Sequence, residues 1–231
     1  MGDQISISTA DGDFNAYVAK PASGSGPAVI VIQEIFGVNK VMRDIADGLA
    51  AEGYIAICPD LFWRIEPGID ITDQTQAEWD KAFELFNAFD VEAGVKDIAD
   101  TIKAARGLDG VTGKVGAVGY CLGGLLAYLT AARTDADAAV GYYGVNIPAF
   151  IGEAGNIKNP LMLHVAEKDG FVPPEAQAEM HRALDGLDAV TLHDYTGMDH
   201  AFAREGGEHY DAANAKLAND RTLAFFKEHL S

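Results

Sequence analysis

The chain has 231 residues, 48% of them apolar, which suits one α/β domain with a sizeable core. Seventeen basic residues against 35 acidic give a formal charge of −18, so polyanions are repelled, and nucleic acid and anionic membrane surfaces are excluded as expected partners. Two cysteines, Cys58 and Cys121, are too few and too far apart for a disulfide scaffold or a zinc cluster. No basic segment leads into an apolar stretch at the start, and no apolar run approaches the roughly 18 to 20 residues that span a bilayer. A soluble, cytoplasmic, monomeric protein is expected.

Short apolar runs rich in β-branched residues alternate with longer amphipathic stretches, the rhythm of a mostly parallel sheet of about eight strands with helices on both faces. ISIST and FNAYVAK, four residues apart around ADGD, predict an opening antiparallel hairpin. AVIVIQE (28–34) predicts a buried strand, and VNKVMRDIADGLAAEG a helix stopped by its glycine. YIAICPDL predicts a strand closed by Pro59, and 62–74 a long surface loop. Helices are expected over 76–88 and 90–106, then a strand over KVGAVGY (114–120) and a helix over LGGLLAYLTAA. AAVGYYG, PLMLHVAEKD and VTLHDYT predict strands, PEAQAEMHRALDG a helix, and the segment from Tyr210 to Leu230 a final helix. No repeat or interior linker interrupts 1–231, so a single domain is expected.

Cys121 falls between the strand ending at Tyr120 and the helix beginning at Leu122, in G-x-C-x-G. This is the cysteine form of the nucleophile elbow, whose tight turn exposes a reactive side chain at the carboxyl edge of a sheet. Gly119 and Gly123 allow the close strand-to-helix approach such a turn requires. The helix start supplies backbone N–H groups and a positive dipole end, which favour thiolate and a developing oxyanion. The alternative is a small buried hydrophobe between packing glycines.

An α/β hydrolase needs nucleophile, acid and histidine in that chain order, each just past a strand. Asp169 follows LMLHVAEK and His200 follows VTLHDYTGMD, in that order. His164 and His193 lie in predicted strands, His181 and His229 in helices, and His209 precedes the last helix. Glu167 is placed within its strand pattern, and Asp60 ends a strand the triad order does not use. Glu34 ends its strand, so its carboxylate and the N–H of Ile35 are expected beside the elbow; an acidic residue near the next helix is the other reading. Arg204, four residues after His200, would bring a cation suited to a carboxylate-bearing substrate, or would simply be solvated. Cys58, within its strand, reads as an inert core residue.

The segments QEIFG, PDLF, AFDVEAGV, KVGAVGYCLGG, AVGYYGV, KDGFVP, GMDHAFAR and LANDRTLAFF resemble those of the dienelactone hydrolase family, in the right order and over essentially the whole chain. The resemblance implies a cofactor-free α/β hydrolase that opens dienelactone to maleylacetate. It also implies a cysteine held largely protonated at rest, and a glutamate matching Glu34 paired to an arginine matching Arg204. Substrate carboxylate displaces that glutamate toward the thiol, which it deprotonates. The oxyanion falls to the N–H groups of Leu122 and Ile35, with substrate against Arg204 and Phe36.

The chain departs from the family at one place. A second carboxylate-binding arginine is expected before AFDVEAG, where this sequence has Trp79; Lys81 and Arg64 are the nearest basic residues. A missing bidentate partner costs on the order of 1.5 to 3 kcal/mol in anion binding. Trp79 suits a bulkier or less charged ester. Three functions therefore stay open: a hydrolase for a small carboxylated lactone, one for another ester, lactone or thioester, and a ligand-binding or thiol-redox protein on the same scaffold.

Overall fold

The structure, a computed structural model, describes residues 2–231. Eight strands form one mostly parallel sheet: β1 (Asp3–Thr9), β2 (Gly12–Ala19), β3 (Gly26–Ile32), β4 (Ile55–Pro59), β5 (Val111–Tyr120), β6 (Ala138–Tyr142), β7 (Leu161–Ala166) and β8 (Val190–Tyr195), in the order β1-β2-β4-β3-β5-β6-β7-β8. The helices are α1 (Lys40–Ala51), α2 (Gln76–Ala88), α3 (Val91–Arg106), α4 (Leu122–Arg133), α5 (Pro174–Leu184) and α6 (Ala212–Leu230). The chain divides into two compact units, Met1–Ala117 and Val118–Ser231.

In the first unit, β1 and β2 pair antiparallel with Thr9 opposite Gly12, so the turn is tighter and both strands longer than the alternation predicted. Strand β2 continues antiparallel onto β4, and β3 runs parallel to β4. Both of these inner strands are buried on each face, as continuous runs of β-branched residues require. Helix α1 starts where the Asn39 side chain accepts from the Met42 N–H, 3.2 Å. Helices α2 and α3 fill the expected 76–88 and 90–106, because Thr75 and Asp90 cap their first turns. Thr75 Oγ1 accepts from the Glu78 N–H at 3.3 Å, while the Glu78 carboxylate accepts from the Thr75 hydroxyl and the Thr72 N–H at 2.8 and 2.9 Å.

The 62–74 segment is not a plain surface loop. Phe62 is fully buried, Ile69 is buried, and Asp70 bridges Gly37. Asp60 holds the segment's start, accepting from the Phe62 and Gly68 N–H groups at 3.1 and 2.7 Å. At its far end, the Asn39 amide donates to the Ile71 carbonyl at 2.9 Å. A pattern without period conceals such strapping, since side-chain to backbone bonds leave no repeat in the sequence. Cys58 is buried, and burial pushes its thiol far above the ordinary range, so it stays neutral in the core.

In the second unit, β6, β7 and β8 are parallel, with Leu163 opposite Gly141 and Leu192. Helix α4 is buried from Leu122 to Ala131, which fits its nearly uniform apolar composition. It approaches the end of β6 closely at Gly124, where a Cβ would fall 2.6 Å from Gly144 Cα and from the Tyr142 oxygen. A 3-10 helix, Ile147–Asn156, occupies a stretch for which the sequence predicts no element. Strand β7 ends at Ala166, so Glu167 lies past the strand rather than within it; its carboxylate accepts from the Gly197 N–H, 2.6 Å.

Among the described residues no helix is long and apolar enough to cross a membrane.

His164, fully buried on β7, bonds Tyr195 Oη through Nδ1 (2.7 Å) and Thr222 Oγ1 through Nε2 (2.9 Å). The groups facing it are Tyr142 from β6, His193 and Tyr195 from β8, and Arg221 from α6. Burial, then His193 and Arg221, hold its pKa well below the ordinary 6.5. Burial and Arg221 lower His193 as well. The unfolded chain therefore takes up protons first, so stability is intact above about 6.5 and falls as pH drops through that value toward the folded pKa. We expect thermal melts between pH 8 and 5 to show this acid slope, about 1.4 kcal/mol per pH unit from His164 and a smaller, solvent-screened share from His193. His164→Gln, less stable at pH 8, should lose one proton's worth of it; an unchanged slope would contradict the assignment.

Candidate active site

The turn after β5 places Cys121 at φ 56°, ψ −112°, a conformation that L side chains avoid. It is held by its neighbours: the Cys121 N–H donates to the Tyr142 carbonyl (3.1 Å), and its own carbonyl accepts from Gly124 (3.0 Å), Leu125 (3.3 Å) and Val145 (3.3 Å). Gly119 is obligatory, because a Cβ there would fall 1.9 Å from the Gly123 carbonyl oxygen. Leu122 opens α4, and the first amides of a helix have no acceptor within it. The sequence reading of an elbow thus matches the backbone found.

Asp169 sits three residues past β7, its side chain 1% exposed. One oxygen, Oδ1, accepts from the Phe171 N–H at 2.8 Å, and the other, Oδ2, from His200 Nδ1 at 2.8 Å. With Nδ1 donated to the carboxylate, Nε2 is left for the Cys121 sulfur, with which the imidazole also bonds. Burial, the strongest influence, disfavours charge on His200, but the charge and hydrogen bonding of Cys121 and the bond to Asp169 outweigh it and raise the pKa to about 10. The structure therefore brings Cys121, His200 and Asp169 into one hydrogen-bonded chain.

The loop carrying His200 is itself constrained. Ala201 has φ 62°, and the His200 N–H donates to Asp199 Oδ1 at 2.7 Å. Two aromatic rings that the sequence reading missed meet the imidazole edge-on, Tyr143 at 5.1 Å and Phe171 at 4.8 Å between centroids. Tyr143 also has positive φ, 37°, so strained backbone recurs at three residues around this one imidazole. The available signals were the doubled tyrosine of GYYG and the phenylalanine of KDGFVP, neither of which shows where its ring points. Arg204 is buried in the turn after His200, its N–H donating to the Ala201 carbonyl at 2.9 Å.

In the first unit, Glu34, Ile35 and Phe36 lie just past β3 and are all buried. Glu34 is two residues beyond the strand rather than its last member. Gln33 fixes this stretch by accepting from the Leu61 N–H (3.0 Å) and donating to the Glu34 carbonyl (3.3 Å). Phe36 meets Trp79 edge-on at 5.2 Å, and Trp79 stacks on Phe83 at 5.6 Å. The Trp79 indole N–H is committed to the Asp73 carbonyl, 2.9 Å. The two nearby cations are engaged elsewhere: Lys81 with Glu66 (2.8 Å) and Glu84 (3.1 Å), Arg64 with Asp97 (2.8 Å) and Asp11 (3.1 Å). The other histidines sort as expected, His181 for instance bridging the surface carboxylates Asp185 and Asp194. Among the described residues no cluster of three or more His, Cys, Asp or Glu could hold a metal ion.

A mostly parallel eight-stranded sheet with helices, and a strained turn presenting its side chain at a strand end, define an α/β-hydrolase fold. Residues 14–230 match the model of the dienelactone hydrolase family. A protein of Azospirillum brasilense is 52% identical over 225 residues, covering 95% of each chain. The carboxymethylenebutenolidase of Pseudomonas putida is 41% identical over 226 residues, with 97% of this chain and 96% of that protein covered. A crystal structure from Klebsiella pneumoniae superposes with a TM-score of 0.86 at 29% identity over 98% of both chains. The chain belongs to the dienelactone hydrolase family.

Proposed function

We propose that Cys121 is the nucleophile of a Cys-His-Asp triad that opens a small carboxylated lactone, dienelactone to maleylacetate, through an acyl-enzyme. The observation that carries this reading is the 2.8 Å bond from His200 Nδ1 to Asp169 Oδ2, which leaves Nε2 for sulfur. The thiolate forms a C–S bond to the lactone carbonyl carbon as the carbonyl electrons move to oxygen. The Leu122 and Ile35 N–H groups take that oxyanion. Its collapse breaks the ring C–O bond, and the leaving oxygen takes the proton from His200. His200 then removes a proton from water, the hydroxide adds to the thioester, and the C–S bond breaks to give the acid, whose proton passes to the departing thiolate. The ring-opened enol becomes the ketone.

Glu34 is assigned the first removal of the thiol proton and Arg204 the substrate carboxylate. A thiol kept protonated until substrate arrives resists oxidation, since thiolate is the vulnerable form. The enzyme is assigned to the cytoplasm, acting as a monomer.

A second reading, hydrolysis of a bulkier or less charged ester, is favoured by the Phe36–Trp79–Phe83 ring stack and by the engagement of Lys81 and Arg64 in ion pairs. Steady-state kinetics on dienelactone and on phenyl acetate separate the two. The lactone is expected to win in kcat/KM by about tenfold or more, the worth of one charge-assisted contact. A strong preference for the neutral aryl ester would transfer the assignment to the second reading.

A further inference from the structure

Behind the Cys121 turn lies a buried polar chain to which the reaction above assigns no role. Tyr142 and His164 are fully buried, and Thr222 of α6 is buried between them. The distances are Arg221 Nη1 to Tyr195 Oη 3.1 Å, Tyr195 Oη to His164 Nδ1 2.7 Å, His164 Nε2 to Thr222 Oγ1 2.9 Å, Thr222 Oγ1 to Tyr142 Oη 2.6 Å, and Tyr142 Oη to Asn219 Oδ1 3.0 Å.

Donor counting gives this chain one direction. Arg221 can only donate, and Asn219 receives through its carbonyl oxygen. Tyr142 has a single proton and donates it to Asn219, so Thr222 must donate to Tyr142. Thr222 then accepts from His164, whose proton is on Nε2, and the bare Nδ1 accepts from Tyr195. Every hydroxyl donates once, and His164 is a neutral Nε2–H tautomer. Its lowered pKa agrees, since a buried imidazolium beside Arg221 would be doubly disfavoured.

Three members of the chain, Tyr142, His164 and Tyr195, reach the reactive segment through backbone and rings. Tyr142 provides the carbonyl that holds the Cys121 N–H, and its ring stacks on Tyr120 at 4.6 Å, one residue before the sulfur. The His164 carbonyl accepts from the Tyr143 N–H at 2.8 Å, and the Tyr143 ring lies on His200. The Tyr195 ring packs on Phe202 at 4.6 Å, two residues after His200. Strand β7, which carries His164, also leads directly to Asp169.

We propose that the Arg221–Tyr195–His164–Thr222–Tyr142–Asn219 hydrogen-bond chain is a positioning element, which through Tyr142, Tyr143 and Phe202 sets the approach of His200 to Cys121. The three segments bearing sulfur, imidazole and carboxylate diverge in sequence, and this chain ties β7 and β8, which lead to Asp169 and His200, to β6, whose Tyr142 carbonyl holds the Cys121 N–H. It rests on the triad reading of Cys121, His200 and Asp169.

Thr222→Val removes the central hydroxyl at nearly constant shape. The expected result is a roughly tenfold fall in kcat with KM changed less than about twofold, recovered in Thr222→Ser. Histidine 15N spectra of the wild-type protein should show His164 as the neutral Nε2–H tautomer at pH 7. A folded Thr222→Val enzyme with wild-type kcat would overturn the proposal, leaving the chain a stability feature, and so would an Nδ1–H or doubly protonated His164. If Thr222→Val does not fold, Tyr195→Phe cuts the link to Nδ1 while keeping the ring on Phe202, with the same expected and overturning results. Cys121→Ala tests the triad reading separately, since turnover surviving in that variant would remove the reading without altering the tautomer.

Discussion

Cys121→Ala is expected to lower kcat by about 10,000-fold or more, because no other group within the hydrogen-bonded chain can form the acyl bond. The sulfur lies at φ 56°, ψ −112° immediately before α4, and its partner His200 is already held by Asp169. Cys121→Gly separates chemistry from backbone cost. It removes the same sulfur yet relaxes a conformation that L residues avoid, so it should be inactive and more stable than Cys121→Ala by about 1 kcal/mol. Burst kinetics with a chromogenic ester, paired with thermal melts, check both. Turnover within tenfold of wild type in Cys121→Ala would remove this residue from the reaction and point to a binding or redox role for the scaffold.

Asp169→Asn is expected to cost about 1,000- to 10,000-fold in kcat while leaving the fold intact. The asparagine carbonyl can keep the Phe171 N–H, now bonded at 2.8 Å to Oδ1. That orientation turns the amide NH2 toward His200 Nδ1, where a donor already stands. The Nδ1 proton then has no acceptor, so the imidazole keeps its proton on Nε2 alone and loses the positive charge that favours thiolate. Losing the carboxylate also removes one of the influences that raise His200 to about 10, so its pKa should fall. Alkylation of Cys121 by iodoacetamide, followed against pH, reads this directly: the variant should react more slowly at pH 7. An unchanged profile would mean that Asp169 does not orient the base.

The sequence pointed to the candidate groups because each announces itself locally. Cys121 stands between an apolar run and flanking glycines, Asp169 and His200 each follow a strand pattern, and a place on a loop at the strand edge singled out His200 among six histidines. Helices α2 and α3 were legible for the same reason, since Thr75 and Asp90 cap the turns they begin. What stayed hidden depends on partners distant along the chain. His164 read as a strand residue and no more, because Thr222 lies 58 positions away. The Gln33 bonds that pin Glu34 depend on Leu61, and the burial of Ile69 depends on Gly37, neither of which has a periodic signature. Glu167 was placed inside β7 because VAEKD continues an apolar strand, whereas pairing with β8 stops at Ala166 opposite Tyr195. Tyr143 and Phe171 are ordinary aromatics in sequence, and only folding turns their edges onto His200.

The backbone contact at the elbow also bears on how such an enzyme can diversify. With a carbonyl oxygen 1.9 Å from where a Gly119 side chain would begin, drift at that position has no small first step. The ring stack on α2 is different, for Phe83 is 39% exposed and its replacement disturbs little of the core. Exchange along α2 therefore meets little resistance from packing, whereas the backbone of the turn that bears the sulfur tolerates almost none.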